Sequence, residues 1–199
     1  GLGGGGKHQL LDFGCAGTVA KMRDEGKEVV YCIITDGSKG KQKEEHLRLT
    51  AKQMAAIRKK EQKAAAKVVG VSRVIFLNEA DGELENTPKV REKIAKAIHK
   101  EKPDIVFAFD PAGCSFESFY GCHRDHRMGA EAVFDAIYPG VGSPAYFPEL
   151  GKPGILPNQI KGIWFYGTDR PDIFIDISKT IDKKIAALMC HESQFKEPK

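Results

Sequence analysis

The chain alternates between short apolar runs and longer amphipathic stretches. Three apolar runs rich in β-branched residues cover 28–35, 71–77 and 104–109, and such runs are typical of strands buried on both faces. Two further runs, 163–166 and 173–177, are also predicted to be strands. Strands separated by helix-length segments predict an α/β fold, a Rossmann-like three-layer sandwich with a mostly parallel sheet.

Helices are predicted between the strands. They cover 17–26, 49–69, 87–100, 123–138 and 178–190. Gly26 is expected to end the first helix, because glycine readily takes the conformation that follows a helix. Thr87 and Pro88 provide a cap and a proline at the first helical position. Ser178 is predicted to cap the last helix.

Two stretches interrupt this pattern. Residues 1–6 are five glycines and one leucine, and we expect this leader to be disordered because glycine loses much backbone entropy on ordering. Residues 139–157 are rich in proline and glycine and are predicted to form an irregular excursion beside the site. There is no internal repeat, and 199 residues suit a single domain, 1–199.

Composition excludes several protein classes. Hydrophobic residues make up 41% and charged residues 29%, as in ordinary soluble globular proteins. No apolar run approaches the roughly 20 residues of a membrane-spanning helix, so no membrane is expected as a partner. Five cysteines without a CxxC pair predict reduced thiols. Because no export signal is recognisable, the predicted location is cytoplasmic.

Charge gives little support to a nucleic-acid partner. Lys and Arg number 31 against 27 Asp and Glu, a net charge of +4. Ten of the basic residues lie between Lys39 and Lys67, against three Glu, but no aromatic residue lies among them to stack on a base. We therefore favour a solvated helix face over a phosphate- or RNA-binding face, and expect no nucleic acid.

The strongest chemical signal is the sequence CHRDHR at 122–127. His123 and His126 are three residues apart at a predicted helix start, so both rings can address one point. They follow the strand 104–109 beyond its carboxyl end, where open α/β sheets bind ligands. Asp125 can orient an imidazole, and imidazole at a helix N-terminus tends to stay neutral, which suits metal ligation. A polar helix start with Asp125 as its cap is the alternative.

With this motif, the chain resembles the PIG-L/LmbE-like family of zinc-dependent de-N-acetylases, which hydrolyse N-acetyl groups of amino-sugar derivatives. The resemblance extends from about Phe13 to Gln194. Each motif that supports the resemblance is weak evidence alone, but together and in this order the motifs are specific. They are FGCAGT at 13–18, TDGSKG at 35–40, Arg58 with Glu61, DGEL at 81–84, HRDH at 123–126 and HESQ at 191–194. It implies an LmbE-like fold, a GlcNAc-type amino-sugar substrate, one zinc ion and a homo-oligomer.

The resemblance also implies roles for individual residues. His126 matches a zinc ligand. His123 matches the residue that stabilises the tetrahedral intermediate or protonates the leaving amine, and Asp125 matches the residue that orients it. Arg58 and Asp81 match positions that contact sugar hydroxyls, although a surface salt bridge within its helix is the alternative for Arg58. In such enzymes zinc polarises the acetyl carbonyl and acidifies its bound water, whose proton a carboxylate takes.

The family's first motif, His-Pro-Asp-Asp-x-Glu directly before the FGC sequence, is not intact. Counting back from Phe13, Lys7 stands in place of the zinc-binding His. Gln9 stands in place of the general base and Leu10 in place of the second zinc-binding residue. Only Asp12 is chemically similar, at the Glu position, and the glycine leader replaces the apolar first strand.

Three interpretations of this segment are open. The natural chain carries the family motif, and Lys7–Leu10 are recorded wrongly. Alternatively, the chain is an inactive relative that keeps a sugar-binding crevice, since leucine cannot bind zinc. In the third interpretation, His8 and Asp12 rebuild a variant metal site with His126. His191 is predicted either to support the site or to cap the end of its own helix.

Overall fold

A parallel sheet forms the centre of the computed structural model. Its strands are β1 (Leu2–Gly5), β2 (Val30–Thr35), β3 (Arg73–Glu79), β4 (Ile105–Phe109) and β5 (Gly162–Tyr166). They lie in the order β3-β2-β1-β4-β5, and every pair is parallel. The structure describes residues 2–5, 8–113, 123–143, 145–148, 150 and 160–195, with the backbone alone for 2–5 and 8–10. The predicted parallel sheet is confirmed.

Five helices connect or follow these strands in the described part of the chain. They are α1 (His8–Asp24), α2 (Ala51–Val68), α3 (Pro88–Glu101), α4 (Arg124–Asp135) and α5 (Ile181–Met189). Thr50 caps α2 in a capping box with Gln53, and Thr87 caps α3 by accepting from the Val90 amide. None of the helices in the described ranges is long and apolar enough to cross a membrane.

Two apolar clusters lie on opposite faces of the sheet, and alternate residues of β2 belong to each. Val30, Cys32 and Ile34 pack with residues of α3 and α4. Tyr31 and Ile33 pack with residues of α1, α2 and α5. Every residue of β2 is buried, which explains why this strand reads as a continuous apolar run. Burial of Cys32 between these layers raises the pKa of its thiol to about 12.

The expectation that the glycine leader is disordered is wrong for Leu2–Gly5. These residues form β1, the central strand, which pairs with β2 on one side and β4 on the other. Strand pairing uses main-chain N–H and C=O groups, which glycine has like any other residue. Two flanking strands therefore order a segment whose own composition disfavours a strand.

The predicted strand over 173–177 is also wrong, since these residues belong to no strand. Ile173, Ile175 and Ile177 line a cavity of about 600 Å³ beside β5, together with Trp164 and Tyr166, whereas Phe174 is 83% exposed. An apolar run can therefore pack beside a sheet without joining its ladder of backbone hydrogen bonds.

Three helix boundaries differ from the prediction. The first helix covers His8–Asp24 and thus begins nine residues before the predicted start at Gly17. The last helix begins after Thr180, because the Ser178 hydroxyl bonds the Asp176 carboxylate in a local turn. Helix α4 ends at Asp135 and continues as a wide turn over Ala136–Val141. Much of the predicted excursion, 144, 149 and 151–157, lies outside the described residues.

Candidate functional site

The candidate site lies at the carboxyl edge of the sheet, where the strand order reverses. β1 lies between β2 and β4, so successive strands are added on opposite sides of it. Open α/β sheets bind ligands in the crevice at such a switch point. Helix α1 follows β1 and carries Asp12, while α4 follows β4 and carries Asp125 and His126. The two helices therefore bring most of the predicted chemistry to one edge.

His123 is the N-cap of α4. Its Nδ1 accepts the Asp125 amide N–H at 3.1 Å, so the proton of the neutral ring is on Nε2. The rings of His123 and His126 are 5.0 Å apart between centroids, and the His126 ring also lies 5.6 Å from the Phe109 ring. His126 is 6% exposed. The motif therefore places two histidine rings side by side, as the three-residue spacing predicts.

The Asp125 carboxylate binds the loop that follows β3. Its Oδ2 accepts the Gly82 amide at 2.7 Å and its Oδ1 accepts the Leu84 amide at 3.2 Å. The side chain is completely buried. Asp125 thus orients His123 through its backbone N–H, while its carboxylate fixes the 82–84 loop against α4. The alternative of a simple cap is not what is found, because His123 is the capping residue.

Asp81 lies in a braced pair of loops at the ends of β2 and β3. Its Oδ2 accepts the Lys39 amide at 2.9 Å, and its own amide donates to Asp36 at 3.3 Å. Gly82, next in the chain, has φ +77°, a conformation that favours glycine. Asp81 is only 2% exposed. The loops therefore hold this carboxylate rigidly beside the start of α4.

Arg58 lies on the inner side of α2 and is 2% exposed. It forms an ion pair with Glu61, one turn away, and its Nη1 donates to the Ser193 hydroxyl at 3.2 Å. The predicted alternative, a salt bridge within the helix, is present but buried. Burial lowers the pKa of Arg58, opposed by Glu61 and, more weakly, by Asp81 and Asp12. These four charged groups therefore lie in one electrostatic neighbourhood.

Asp12 is the centre of a second buried network. Its Oδ2 lies 2.8 Å from Nε2 of His191 and accepts from Gln62 at 3.0 Å, while its Oδ1 accepts the Tyr31 hydroxyl at 3.3 Å. Burial and the Asp12 carboxylate both raise the pKa of Tyr31. His191 faces Asp12, so of its two predicted roles the structure favours support of the site.

The described side chains do not by themselves fit a zinc ion. Among them no three His, Cys, Asp or Glu side chains come together as a metal-binding group. His126 is one suitable ligand, but structural zinc has four ligands and catalytic zinc has three from the protein. The side chain of His8 lies outside the described residues. Lys7, Gln9 and Leu10 add no carboxylate.

Several residues of the candidate site were not predicted from the sequence. Asp36 accepts both the Ser38 amide and the Asp81 amide, and its signal was an Asp-Gly-Ser turn directly after a buried strand. Tyr31 and Gln62 carried no signal, because each lies in an ordinary strand or helix pattern. Ser193 belonged to a recognised motif, but its contact with Glu61 could not be read from the sequence.

Comparison with known proteins agrees with this geometry. Residues 11–137 match the sequence profile of the family described as GlcNAc-PI de-N-acetylase, PIG-L. The chain belongs to the PIG-L family. The match covers more than half of the chain, from the second turn of α1 to the end of α4. The predicted resemblance is therefore confirmed.

Named relatives of this PIG-L protein include two kinds of deacetylase. The diacetylchitobiose deacetylase of Thermococcus kodakarensis is 36% identical over 189 residues, which are 93% of this chain and 66% of the relative. A probable N-acetyl-alpha-D-glucosaminyl L-malate deacetylase 2 of Bacillus cereus is 27% identical, covering 92% of this chain and 77% of the relative. The chain thus spans just under two thirds of the Thermococcus protein.

A solved structure supports the same relationship. The N,N'-diacetylchitobiose deacetylase of Pyrococcus horikoshii, in complex with its inhibitor MPG, matches with a TM-score of 0.88 at 32% identity. The match covers 98% of this chain and 70% of the Pyrococcus chain. The LmbE-like course of the chain is thus shared with an N-deacetylase.

Proposed function

We propose that this PIG-L protein hydrolyses the N-acetyl group of an N-acetylglucosamine-type sugar or conjugate. The observation that carries the proposal is the start of α4, where His123 and His126 lie side by side and Asp125 holds the 82–84 loop. The 36% identity to a diacetylchitobiose deacetylase supports the substrate class. Acetate and a free amino sugar are the expected products.

His123 is the proposed hydrogen-bond donor to the reacting amide. Its Nδ1 accepts the Asp125 amide N–H, so the neutral ring donates through Nε2–H. This hydrogen bond stabilises the tetrahedral oxyanion, whereas protonation of the departing nitrogen requires the imidazolium form of the ring. The contact with the Asp125 backbone fixes the tautomer and direction of the ring, which lowers the cost of orienting the donor.

Arg58 and Asp81 are the proposed sugar-binding residues. A guanidinium donates several N–H groups and a carboxylate accepts O–H groups, so together they can bind neighbouring hydroxyls. Both side chains are held by backbone or side-chain partners rather than being mobile on the surface. Their contacts favour a rigid ligand with paired hydroxyls, as in a pyranose ring.

Zinc is the cofactor of the family, and His126 is its proposed ligand here, with His8 and Asp12 as further candidates. When bound in such enzymes, the metal supplies Lewis-acid polarisation of the carbonyl and an activated water. Because the described side chains do not fit a complete site, we assign no step to it. Both carboxylate oxygens of Asp12 already have partners in the structure.

Acetate release from N,N'-diacetylchitobiose, with and without added zinc, tests the proposal. His126→Ala is expected to lose bound metal and activity together. His123→Ala is expected to keep the metal and lose kcat, typically 10²-fold or more for a general acid. Equal loss of zinc in both variants contradicts this division of roles, and no acetate release by the wild type contradicts the hydrolase.

A sugar-binding protein without catalysis is the second candidate. The observation that favours it is the presence of Lys7, Gln9 and Leu10 at the positions of the family's first motif. It predicts binding of the disaccharide with no bound zinc and no turnover. Peptide sequencing of residues 1–13 separates the two candidates further, since a His-Pro-Asp-Asp sequence before Leu11 supports the enzyme.

Broader proposals concern the fold, the domain organisation, the location and the partners. The fold is proposed to be the complete Rossmann-like three-layer sandwich, supported by the two clusters on opposite faces of the sheet. The chain is proposed to act as one domain, in the cytoplasm. We propose an amino sugar as its small-molecule partner, no nucleic acid, no membrane, and a homo-oligomeric state.

A further inference from the structure

Arg58 lies on α2, on the side of the helix that contacts residues 191–194. Its guanidinium is buried, and a buried charge is stable only when it is paired and hydrogen-bonded. Among the described residues, the Glu61 carboxylate and the Ser193 hydroxyl contact it. The direction of Arg58 therefore depends on a residue of α2 and on a residue 135 positions away in the chain.

Glu61 is held by the same serine. Its Oε1 accepts the Ser193 amide at 2.7 Å, and its Oε2 accepts the Ser193 hydroxyl at 2.8 Å as well as the Arg58 guanidinium. Arg58, Glu61 and Ser193 thus form a closed triangle of contacts. A carboxylate with both oxygens bound cannot rotate, so it fixes the side of the guanidinium that it contacts.

Ser193 lies in a short turn that is itself anchored at both ends, the C-terminal clamp, residues 191–194. The backbone N–H of Gln194 donates to the His191 carbonyl at 2.9 Å, and its side-chain Nε2 donates to the Gly40 carbonyl at 2.6 Å. His191 contacts Asp12. The clamp therefore joins α1, α2 and the loop after β2, which are three sides of the candidate site.

We propose that Glu61 and Ser193 are positioning residues that set the orientation of Arg58 toward the hydroxyls of the sugar. The inference rests on the proposed function, because it assumes that Arg58 contacts the sugar. An arginine side chain loses considerable rotamer entropy when it is fixed. If the protein has already ordered Arg58, binding of the sugar does not have to supply this entropy cost and is stronger by that amount.

A structural role alone makes a different prediction. If the triangle only joins the end of the chain to α2, removing the Ser193 hydroxyl lowers thermal stability and leaves sugar affinity unchanged. If it positions Arg58, affinity falls while the chemistry of a bound sugar continues. The Kd and the ratio of KM to kcat therefore separate the two roles.

Calorimetric titration of the full chain with N,N'-diacetylchitobiose tests the inference. Ser193→Ala is expected to raise the Kd about tenfold, because binding of the sugar then has to order part of the Arg58 side chain, and to raise KM with little change in kcat. Glu61→Gln is expected to act in the same direction, and Ser193→Thr, which keeps the hydroxyl, is expected to restore affinity. Ser178→Ala is the control, because within the described part of the chain its hydroxyl donates to Asp176 in an exposed turn away from Arg58.

Each outcome has a distinct meaning. An unchanged Kd in Ser193→Ala and Glu61→Gln, with wild-type binding intact, overturns the inference alone. Binding by the wild type without acetate release overturns the hydrolase, while the Kd comparison still decides the role of the triangle. If the wild type neither binds nor cleaves the disaccharide, the proposed function fails and the inference fails with it.

Discussion

Two completely buried carboxylates lie at the starts of α4 and α1, and they are held in different ways. Asp125 accepts two backbone N–H groups from one short loop, Gly82 and Leu84. Asp12 is bound by three side chains from separate elements: Tyr31 of β2, Gln62 of α2 and His191 after α5. The first arrangement fixes a loop, whereas the second joins distant parts of the chain.

The two kinds of contact imply different roles for the two carboxylates. Backbone donors remain in place when side chains change, so the contacts of Asp125 define local geometry beside His123. Side-chain donors are themselves held in place by the fold. The contacts of Asp12 therefore form only when α1, α2 and α5 are packed together on their side of the sheet. We expect Asp12 to be important chiefly for stability and Asp125 chiefly for function.

The largest effect is expected for Asp12→Ala. It leaves the buried groups of His191, Gln62 and Tyr31 without their common acceptor, which is expected to cost about 3–5 kcal/mol in the free energy of unfolding. Urea denaturation measures this. Asp24→Ala is the matched control, because its ion pair with Lys183 is exposed and is worth under about 1 kcal/mol. Similar losses in both variants contradict the comparison.

Asp125→Ala is expected to destabilise the fold less and to impair function more. Two backbone amides lose their acceptor, but Gly82 is only partly buried and its N–H can bond water, so the expected loss is about 1–3 kcal/mol in the free energy of unfolding, from the buried Leu84 amide. The 82–84 loop then moves relative to His123, and a displacement near 1 Å can reduce turnover by about 10²-fold. Acetate release and urea denaturation of the same samples check both parts. A stability loss above that of Asp12→Ala is the contrary result.

The pH dependence of stability provides a third test on the Asp12 side. The pKa of Tyr31 is raised in the folded state, so its contribution to stability is complete below about pH 10 and is lost as pH rises further. Melting temperature should therefore fall above this pH, and less steeply in Tyr31→Phe than in the exposed control Tyr138→Phe. Equal slopes in the two variants rule out this contribution.

The smallest effects are expected for Gly82→Ala and Gly26→Ala, which should lower stability alike but differ in sugar binding. Both have φ near +78°, so alanine at either position is expected to cost about 1 kcal/mol. A side chain at Gly26 has no atom within 4 Å of its Cβ. At Gly82, in the loop that Asp125 binds, the Cβ lies 3.3 Å from the Lys39 side chain. Only Gly82→Ala should therefore weaken sugar binding, as measured by titration; equal binding in both variants disagrees with the account.

Local signals predicted much of the fold and half of the site. A few neighbouring residues are enough to predict three features: the buried strand β2, the Thr87–Pro88 start of α3 and the HRDH motif. In contrast, β1 depends on its neighbours β2 and β4, because glycine alone gives no strand signal. Such pairing becomes visible only once the sheet is assembled.

The Asp12 network illustrates the same limit within the site. Asp12 and His191 are 179 positions apart, and neither residue has a local pattern that indicates the other. The sequence suggested either residue as a possible part of the site, but their direct contact follows only from the packing of α1 against α2 and α5. By comparison, the two histidines of α4 were predictable from helical spacing alone.

The first measurement to make is acetate release from N,N'-diacetylchitobiose by the wild type and by Asp125→Ala, each supplied with zinc. We expect steady release by the wild type and a loss of about 10²-fold in the variant, with the variant still folded. No release by the wild type, or equal rates for the two proteins, would contradict a deacetylase whose site is organised at the start of α4.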